Sequence, residues 1–292
     1  MWPGRRNALA VAVRSEQGEL IAEPSPPFFG NKSAAQCIAW QRERGARWAS
    51  SLLLPSAEYN VIPVEAPKVA PDERRNAVRW QIKDQIEFAI EHASVDSLGI
   101  PGPLAGSQSD RLYAIASPSE RIADWMSVYR MARCRLDTID IPEMALRNLA
   151  TLVAGEGAVG LLHVGINLTR MTLVWQGELC NFRQFELDAQ QLLDASPGDR
   201  TAVLDRLALD IQRTTDAFAR QFHGADLNKL LLSSVVLSDE IQARLGEMTG
   251  LTVQPLRLQD HLSWSGNIPV HDLAQDFDYT LAVGAALRPT TQ

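Results

Sequence analysis

The chain has 292 residues, of which 46% are hydrophobic and 22% charged, and its formal net charge is −7 at pH 7. That balance belongs to a globular protein long enough for two lobes, each with a core of its own, and not to a disordered or fibrous one. The negative charge excludes broad phosphate-backbone binding, which needs concentrated Lys and Arg, so nucleic acid is not an expected partner.

In chain order, the apolar run 8–13 is too short for a signal-peptide core despite the basic Arg5 and Arg6 before it. It reads as a strand, joined through Gln17-Gly18-Glu19 to a second strand at 20–22, with Gly18 free to take a positive φ. Pro24-Ser25-Pro26-Pro27 is an extended connector, followed by a helix over 34–47 and a strand over 52–54. A strand over 59–64 leads past Pro67 and Pro71 into a charged helix over 72–87. Val78, Ile82 and Ile86 form its apolar stripe, and Asp72 and Glu73 lie where the macrodipole favours acids. Strands over 95–100 and 112–116 bracket a Gly/Pro/Ser loop, and Ser117-Pro118-Ser119-Glu120 starts another helix, which makes residues 60–135 a βαββα unit. Trp80 and Phe88 lie off the helical stripe. They are expected to pack on the following strands, the alternative being an exposed aromatic pair that anchors a partner.

After an extended stretch at 138–141, Pro142 opens a helix that turns Met144, Leu149 and Leu152 inward and ends at Gly155 and Gly157. Strands follow near 159–164, 171–175 and 179–186. Leu204, Leu207, Ile211, Thr215, Phe218 and Phe222 hold one face of a long helix, closed by Gly224. Strand 229–232, helix 240–249, strand 252–255 and a helix over 279–287 complete an α/β pattern in two halves, with mixed sheets.

Most catalytic motifs fail on context. Gly155-Glu156-Gly157-Ala158-Val159-Gly160 fits G-x-G-x-x-G, but a helix precedes it and a strand follows, the reverse of what a pyrophosphate site needs. The sequence has no P-loop, no H-E-x-x-H and no G-x-S-x-G, so no catalytic residue and no metal ligand is assigned. Its 3 cysteines, Cys37, Cys134 and Cys180, form neither a disulfide framework nor a zinc knuckle, and a reducing compartment is expected. The most apolar long stretch, 149–166, carries Glu156, His163 and several glycines, so direct membrane insertion is not expected.

Several blocks carry a family resemblance. Leu54-Pro55, Tyr59, Val64, Pro67, Glu73, Ala77, Arg79-Trp80, Ile82-Lys83-Asp84, Ile86-Glu87-Phe88 and Asp96 form one; Ile139-Asp140-Ile141-Pro142-Glu143-Met144-Ala145-Leu146-Arg147-Asn148-Leu149 form another. With Gln176-Gly177-Glu178-Leu179 and Ala282-Val283-Gly284-Ala285-Ala286-Leu287, they make residues 52–288 resemble the MshI family of haemagglutinin-pilus (MSHA) biogenesis proteins, related to PilM and to the cytoplasmic domain of type II secretion GspL. The resemblance implies an actin-like (ribonuclease H-like) bilobal fold: a first lobe over 1–157 with a small βαββα subdomain inserted at about 60–135, and a second lobe over 158–292. It also implies a cytoplasmic body, peripheral to the inner membrane, that binds the tail of a single-pass PilN-like partner and couples the platform to a separate motor ATPase.

The departures from an actin-like ATPase point to a pseudo-ATPase. Such enzymes begin each lobe with a strand ending in Asp and a Gly turn, the Asp organising Mg²⁺. Strand 8–13 has neither, and the second-lobe match, Leu162-His163-Val164-Gly165-Ile166-Asn167-Leu168-Thr169, puts His163 where the acid belongs. The adenosine turn, usually a Gly pair, is Ser233-Ser234. Gly165, Asn167, Thr169, Ser233 and Ser234 are therefore a vestigial nucleotide site, with no cofactor expected and ATP binding left open. The favoured reading is a non-catalytic pilus scaffold. The alternatives are an actin-like ATPase with a divergent site and a type II secretion platform protein. The latter would be expected to carry a C-terminal membrane helix, where this sequence closes with Arg288-Pro289-Thr290-Thr291-Gln292.

Overall fold

The computed structural model describes residues 1–3, 7–45, 48–104, 106–166, 168–234, 238–265, 271–272 and 277–288. The second half has the more regular sheet. β11 (Val159–Val164), β12 (Thr169–Trp175), β13 (Glu178–Phe185), β14 (Lys229–Ser234) and β15 (Thr252–Pro255) lie in the order β13-β12-β11-β14-β15. The first two contacts are antiparallel and the last two parallel. Alternation along the strands assigns the two faces, as a pleat requires. Leu162, Val164, Leu230 and Leu232 face a core with Leu204, Leu207, Ile211 and Phe218 of α6 (Pro197–Gln221). Val159, Leu161 and Leu231 face the opposite core, with α4 (Pro142–Ala154) and α8 (Thr280–Ala286).

The first half repeats this order from shorter pieces. β2 (Asn7–Leu9) and β3 (Val11–Glu16) pair antiparallel with β5 (Phe28–Phe29) and β4 (Glu19–Pro24), and β1 (Trp2–Pro3) pairs antiparallel with β2. On its other side the Met1 carbonyl accepts the Leu53 N–H at 2.9 Å from β6 (Ser51–Leu53), which runs parallel to β10 (Thr138–Asp140). The matching hairpins close with the same four residues, Gln17-Gly18-Glu19-Leu20 and Gln176-Gly177-Glu178-Leu179. Both turns place Gln and Gly at positive φ, 53° and 88° in the first and 54° and 71° in the second, the twist-compatible geometry of a two-residue hairpin loop.

Between β6 and β10 lies the insert. β7 (Asn60–Glu65), β8 (Ala93–Pro101) and β9 (Gln108–Pro118) form an antiparallel sheet in the order β7-β9-β8, with α2 (Arg74–Gln81) and α3 (Ser119–Met131). Its residues Ile62, Val64, Leu112, Ala114 and Ala116 pack with Val78 and Ile82. The alternate residues Ile100 and Tyr113 join the second-lobe core, where Tyr113 and Phe182 meet edge to face at 5.3 Å. One face of the insert is thus its own core, and the other is cemented to β13.

Some expectations need correction. The strand at 8–13 is the second of its lobe, not the first; β1 precedes it, and residues 4–6 between them lie outside the described residues. The helix expected over 72–87 stops at Gln81, where Ile82 takes φ −99° and ψ 0°. Ile82 is still fully buried, so tertiary packing keeps the stripe's contacts through a series of turns. The expected helix over 34–47 is α1 (Ser33–Glu43). A short helix not foreseen, α5 (Ala189–Asp194), begins with a capping box between Asp188 and Gln191. Phe88 packs on the insert core as expected, whereas Trp80 is 54% exposed.

Candidate functional site

The two lobes meet around a cavity of 530 Å³. Its walls come from the β1–β2 hairpin (Trp2, Asn7), the start of α1 (Ser33), the segment after β6 (Ser56, Glu58) and the β11–β12 turn (Gly165, Leu168), with Arg170 of β12 and Trp125 of α3 also lining it. This is where two duplicated lobes present their first hairpins to each other. Of the expected site residues, Gly165 lines the cavity; Asn167 lies outside the described residues. Thr169, at the start of β12, is fully buried. Ser233 and Ser234 are not a turn after a strand. Both belong to β14, opposite His163 and Val164, because the parallel ladder to β11 extends to the end of that strand.

The β11–β12 turn is bonded inward. The Gly165 N–H donates to the Leu168 carbonyl at 3.3 Å, and the Gly165 carbonyl accepts the Ala189 N–H at 3.0 Å, at the start of α5. A phosphate cradle needs N–H groups that point out and remain free; the one at Gly165 is occupied. Glycine fits a close approach here, since a Cβ would lie 3.0 Å from both His163 Nε2 and the Leu168 carbonyl oxygen, tighter than ordinary contact. His163 itself is buried at the position expected for an acid, and its Nδ1 shares a hydrogen bond with Ser233 Oγ at 3.2 Å. An imidazole so placed serves the sheet; it cannot do a carboxylate's work in holding Mg²⁺.

What the sequence did not single out is the acid one layer behind. Glu143, in the first turn of α4, accepts the Tyr59 hydroxyl at 2.7 Å and the Gln184 side-chain amide at 2.8 Å, and its carboxylate lies 3.9 Å from Arg170 Nε. Arg170 in turn donates to Ser56 Oγ. Glu143 is 1% exposed and Arg170 5%, so this charge pair is buried between the lobes. Burial, and then the nearby Glu143 charge, hold the Tyr59 hydroxyl well above the ordinary tyrosine range, which keeps it a hydrogen-bond donor to Glu143. In the sequence Glu143 stood only as one residue of the block 139–149 and behind Pro142 at a helix start, where an acid is commonplace.

A second cavity, of 610 Å³, lies outside the cleft between β3, α1, β6 and the end of α8. Trp40 walls it, with the Arg44 guanidinium stacked 3.4 Å from its ring. Arg14, Arg44, Arg135 and Arg288 also line it, and each pairs with a carboxylate, Glu16, Glu23, Asp137 and Asp140 respectively. These pairs leave the groove without a concentrated charge. Among the described residues no group of three or more His, Cys, Asp and Glu could hold a metal ion, and no helix is long and apolar enough to cross a membrane.

No protein-family model and no curated protein matches the sequence. The chain is similar in structure to a solved PilM–PilN type IV pilus biogenesis complex, at 18% identity, over 98% of this chain and 96% of that one, with a TM-score of 0.68. The cytoplasmic domain of EpsL, an inner membrane component of the type II secretion system of Vibrio cholerae, also matches, at 12% identity over 82% of this chain and 94% of that one, with a TM-score of 0.43. So does a Bacteroides thetaiotaomicron protein described as having an actin-like ATPase fold and unknown function, at 9% identity over 85% of this chain and 90% of that one, with a TM-score of 0.44. The fold is the actin-like bilobal α/β fold, with the βαββα insert in the first lobe.

Proposed function

We propose that this chain is a scaffold of the inner-membrane assembly platform of an MSHA-like type IV pilus, which binds the cytoplasmic tail of a single-pass, PilN-like membrane protein and does not hydrolyse ATP. The observation that carries the reading is the end-to-end likeness to a chain of a solved PilM–PilN type IV pilus biogenesis complex, over 98% of this chain and 96% of that one. The MSHA assignment rests on the sequence blocks at 54–96 and 139–149 that resemble the MshI family. The loss of turnover is supported by His163 at the acid position, the internally bonded Gly165 N–H and the placement of Ser233 and Ser234 inside β14. On this reading the protein is cytoplasmic and peripheral, held at the membrane by its partner, with a separate motor ATPase supplying work. The insert is the surface proposed for the tail, because it exposes Val69, Trp80, Leu104, Met126 and Met131.

Calorimetry of the purified protein tests this, with Mg-ATP in one titration and N-terminal tail peptides of the single-pass partner in another. Tail binding with no ATP turnover is the expected result. Nucleotide-dependent turnover without tail binding would replace the scaffold with an actin-like ATPase whose Mg²⁺ is held by some other acid.

A further inference from the structure

Four separate segments converge on one buried carboxylate. Ser56 and Tyr59 come from the link between β6 and the insert, Glu143 from the helix that leaves the first lobe, Arg170 from β12 and Gln184 from β13. Ser56 and Tyr59 belong to the first-lobe side and Arg170 and Gln184 to the second-lobe sheet, while α4, which carries Glu143, packs on β11, β12 and β13, so the bonds that cross between the two sides are Tyr59 to Glu143 and Arg170 to Ser56. Hinged opening of the lobes would break them together. Glu143 and Arg170 are stripped of water, and opening would cost each of them a hydrogen-bond partner in a low-dielectric interior, the costly case for a buried charged group.

The surroundings reinforce this. Tyr113 of the insert donates its hydroxyl to the Cys180 carbonyl at 3.2 Å, and the Gly106 N–H reaches Gln176 Oε1 at 3.2 Å across the same divide. Arg170 also lines the 530 Å³ cavity, so the pair stands at the back of the cleft.

We infer that Glu143 and Arg170 form the pin of an interlobe latch, held from the first-lobe side by Tyr59 and Ser56, which keeps the cleft in one fixed arrangement. The device is independent of the pilus assignment: it concerns how this chain sets the angle between its lobes, whatever it binds. A chain latched in this way presents its outer surfaces in constant register and does not use cleft closure as a signal.

Spin labels at two exposed positions, Gln36→Cys on α1 of the first lobe and Gln190→Cys on α5 of the second, in a Cys134→Ser full-length chain, read the interlobe distance directly. The latch predicts one narrow distance in the otherwise native chain, unchanged by Mg-ATP, and a broadened or two-component distribution in Glu143→Gln, which leaves Arg170 without its counter-charge. Should Glu143→Gln not fold, the paired variant Ser56→Ala/Tyr59→Phe removes the two crossing hydrogen bonds while leaving the charge pair in place, and is expected to give the same broadening. A native distribution that is already broad, one that shifts with Mg-ATP, or a folded variant as narrow as the native chain would each overturn the inference. Hydrogen exchange supplies a second readout: protection in Glu143→Gln is expected to fall at least tenfold around Ser56–Glu58 and β12, while α7 (Asp239–Thr249) and β15 at the far side of the sheet keep theirs. Equal loss everywhere would mean general destabilisation and would equally overturn the latch.

Discussion

At the scale of single residues the chain separates groups by how water reaches them. Cys37 and Cys180 are buried, and desolvation pushes both thiols up from 9.0 to about 12, while Cys134 is only partly covered. The thiolate is the reactive form, so alkylation at pH 8 is expected to modify Cys134 alone, and the other two only after denaturation; mass spectrometry counts the labels. The same shifts fix a pH dependence. A thiol whose folded pKa is raised keeps its proton in the native state after the unfolded chain has lost it. Its stabilisation is complete below about pH 9 and is lost as pH rises toward 12, at about 1.4 kcal/mol per pH unit for each thiol. Denaturant midpoints measured from pH 8 to 11 should therefore hold steady to about pH 9 and then fall, while below pH 8 the buried Met1 ammonium, lowered from 8.0 to about 6 by desolvation, makes them decline as pH drops. Trp80 is the opposite case. At 54% exposure its truncation leaves no cavity, so Trp80→Ala should alter the melting temperature little. If the insert receives the partner's tail, the same change should weaken peptide binding at least tenfold, as loss of an aromatic anchor does. Unchanged affinity would move the tail site elsewhere.

At the scale of elements, the helix pair α4 and α8 shows how close packing rests on one glycine. A Cβ added at Gly284 would lie 2.2 Å from the Ala145 carbonyl oxygen, which is backbone and cannot turn aside. Asn148 also donates to the Gly284 carbonyl at 2.8 Å, so the two helices cannot separate without losing that bond. Gly284→Ala is expected to destabilise by about 1–3 kcal/mol, the range for overpacking, despite alanine's better helix propensity; a rise in melting temperature would contradict the packing. Much of this layer was legible in the sequence. Strand 252–255 and the helix starts at Pro142 and Ser119 coincide with their expected places, because Pro, Gly and apolar period act locally. The first strand was not, since Met1, Trp2 and Pro3 are too few to show a period, yet the repeated Gln-Gly-Glu-Leu would have marked the matching hairpins of both lobes and placed a strand before residue 8. The site was legible only in part. His163 could be set against an expected acid, but the Glu143 cluster draws on residues from 56 to 184 that no local pattern connects.

At the scale of the whole molecule, the question is whether two lobes and an insert behave as three bodies or one. Chain length alone favours separate units, since domains with cores of their own usually unfold independently. The packing opposes that. The core of the second lobe also contains Leu54 and Tyr59 after β6, Ile100 and Tyr113 of the insert, and Ile141 and Met144 at the start of α4. The opposite core joins Leu9 and Leu53 of the first lobe to Leu161 and Leu231 of the second through α4 and α8. Neither lobe can therefore open without exposing apolar surface of the other, and the same event would break the bonds from Tyr59 to Glu143 and from Arg170 to Ser56. One cooperative transition is expected. Tryptophan fluorescence reports on all regions, with Trp40 in the first lobe, Trp125 in the insert and Trp175 in the second, while far-ultraviolet circular dichroism follows the backbone. In a urea titration the two signals should share one midpoint. Two resolved transitions would show that the lobes hold together less tightly than their shared cores imply, and the latch would then be the weaker of the forces between them.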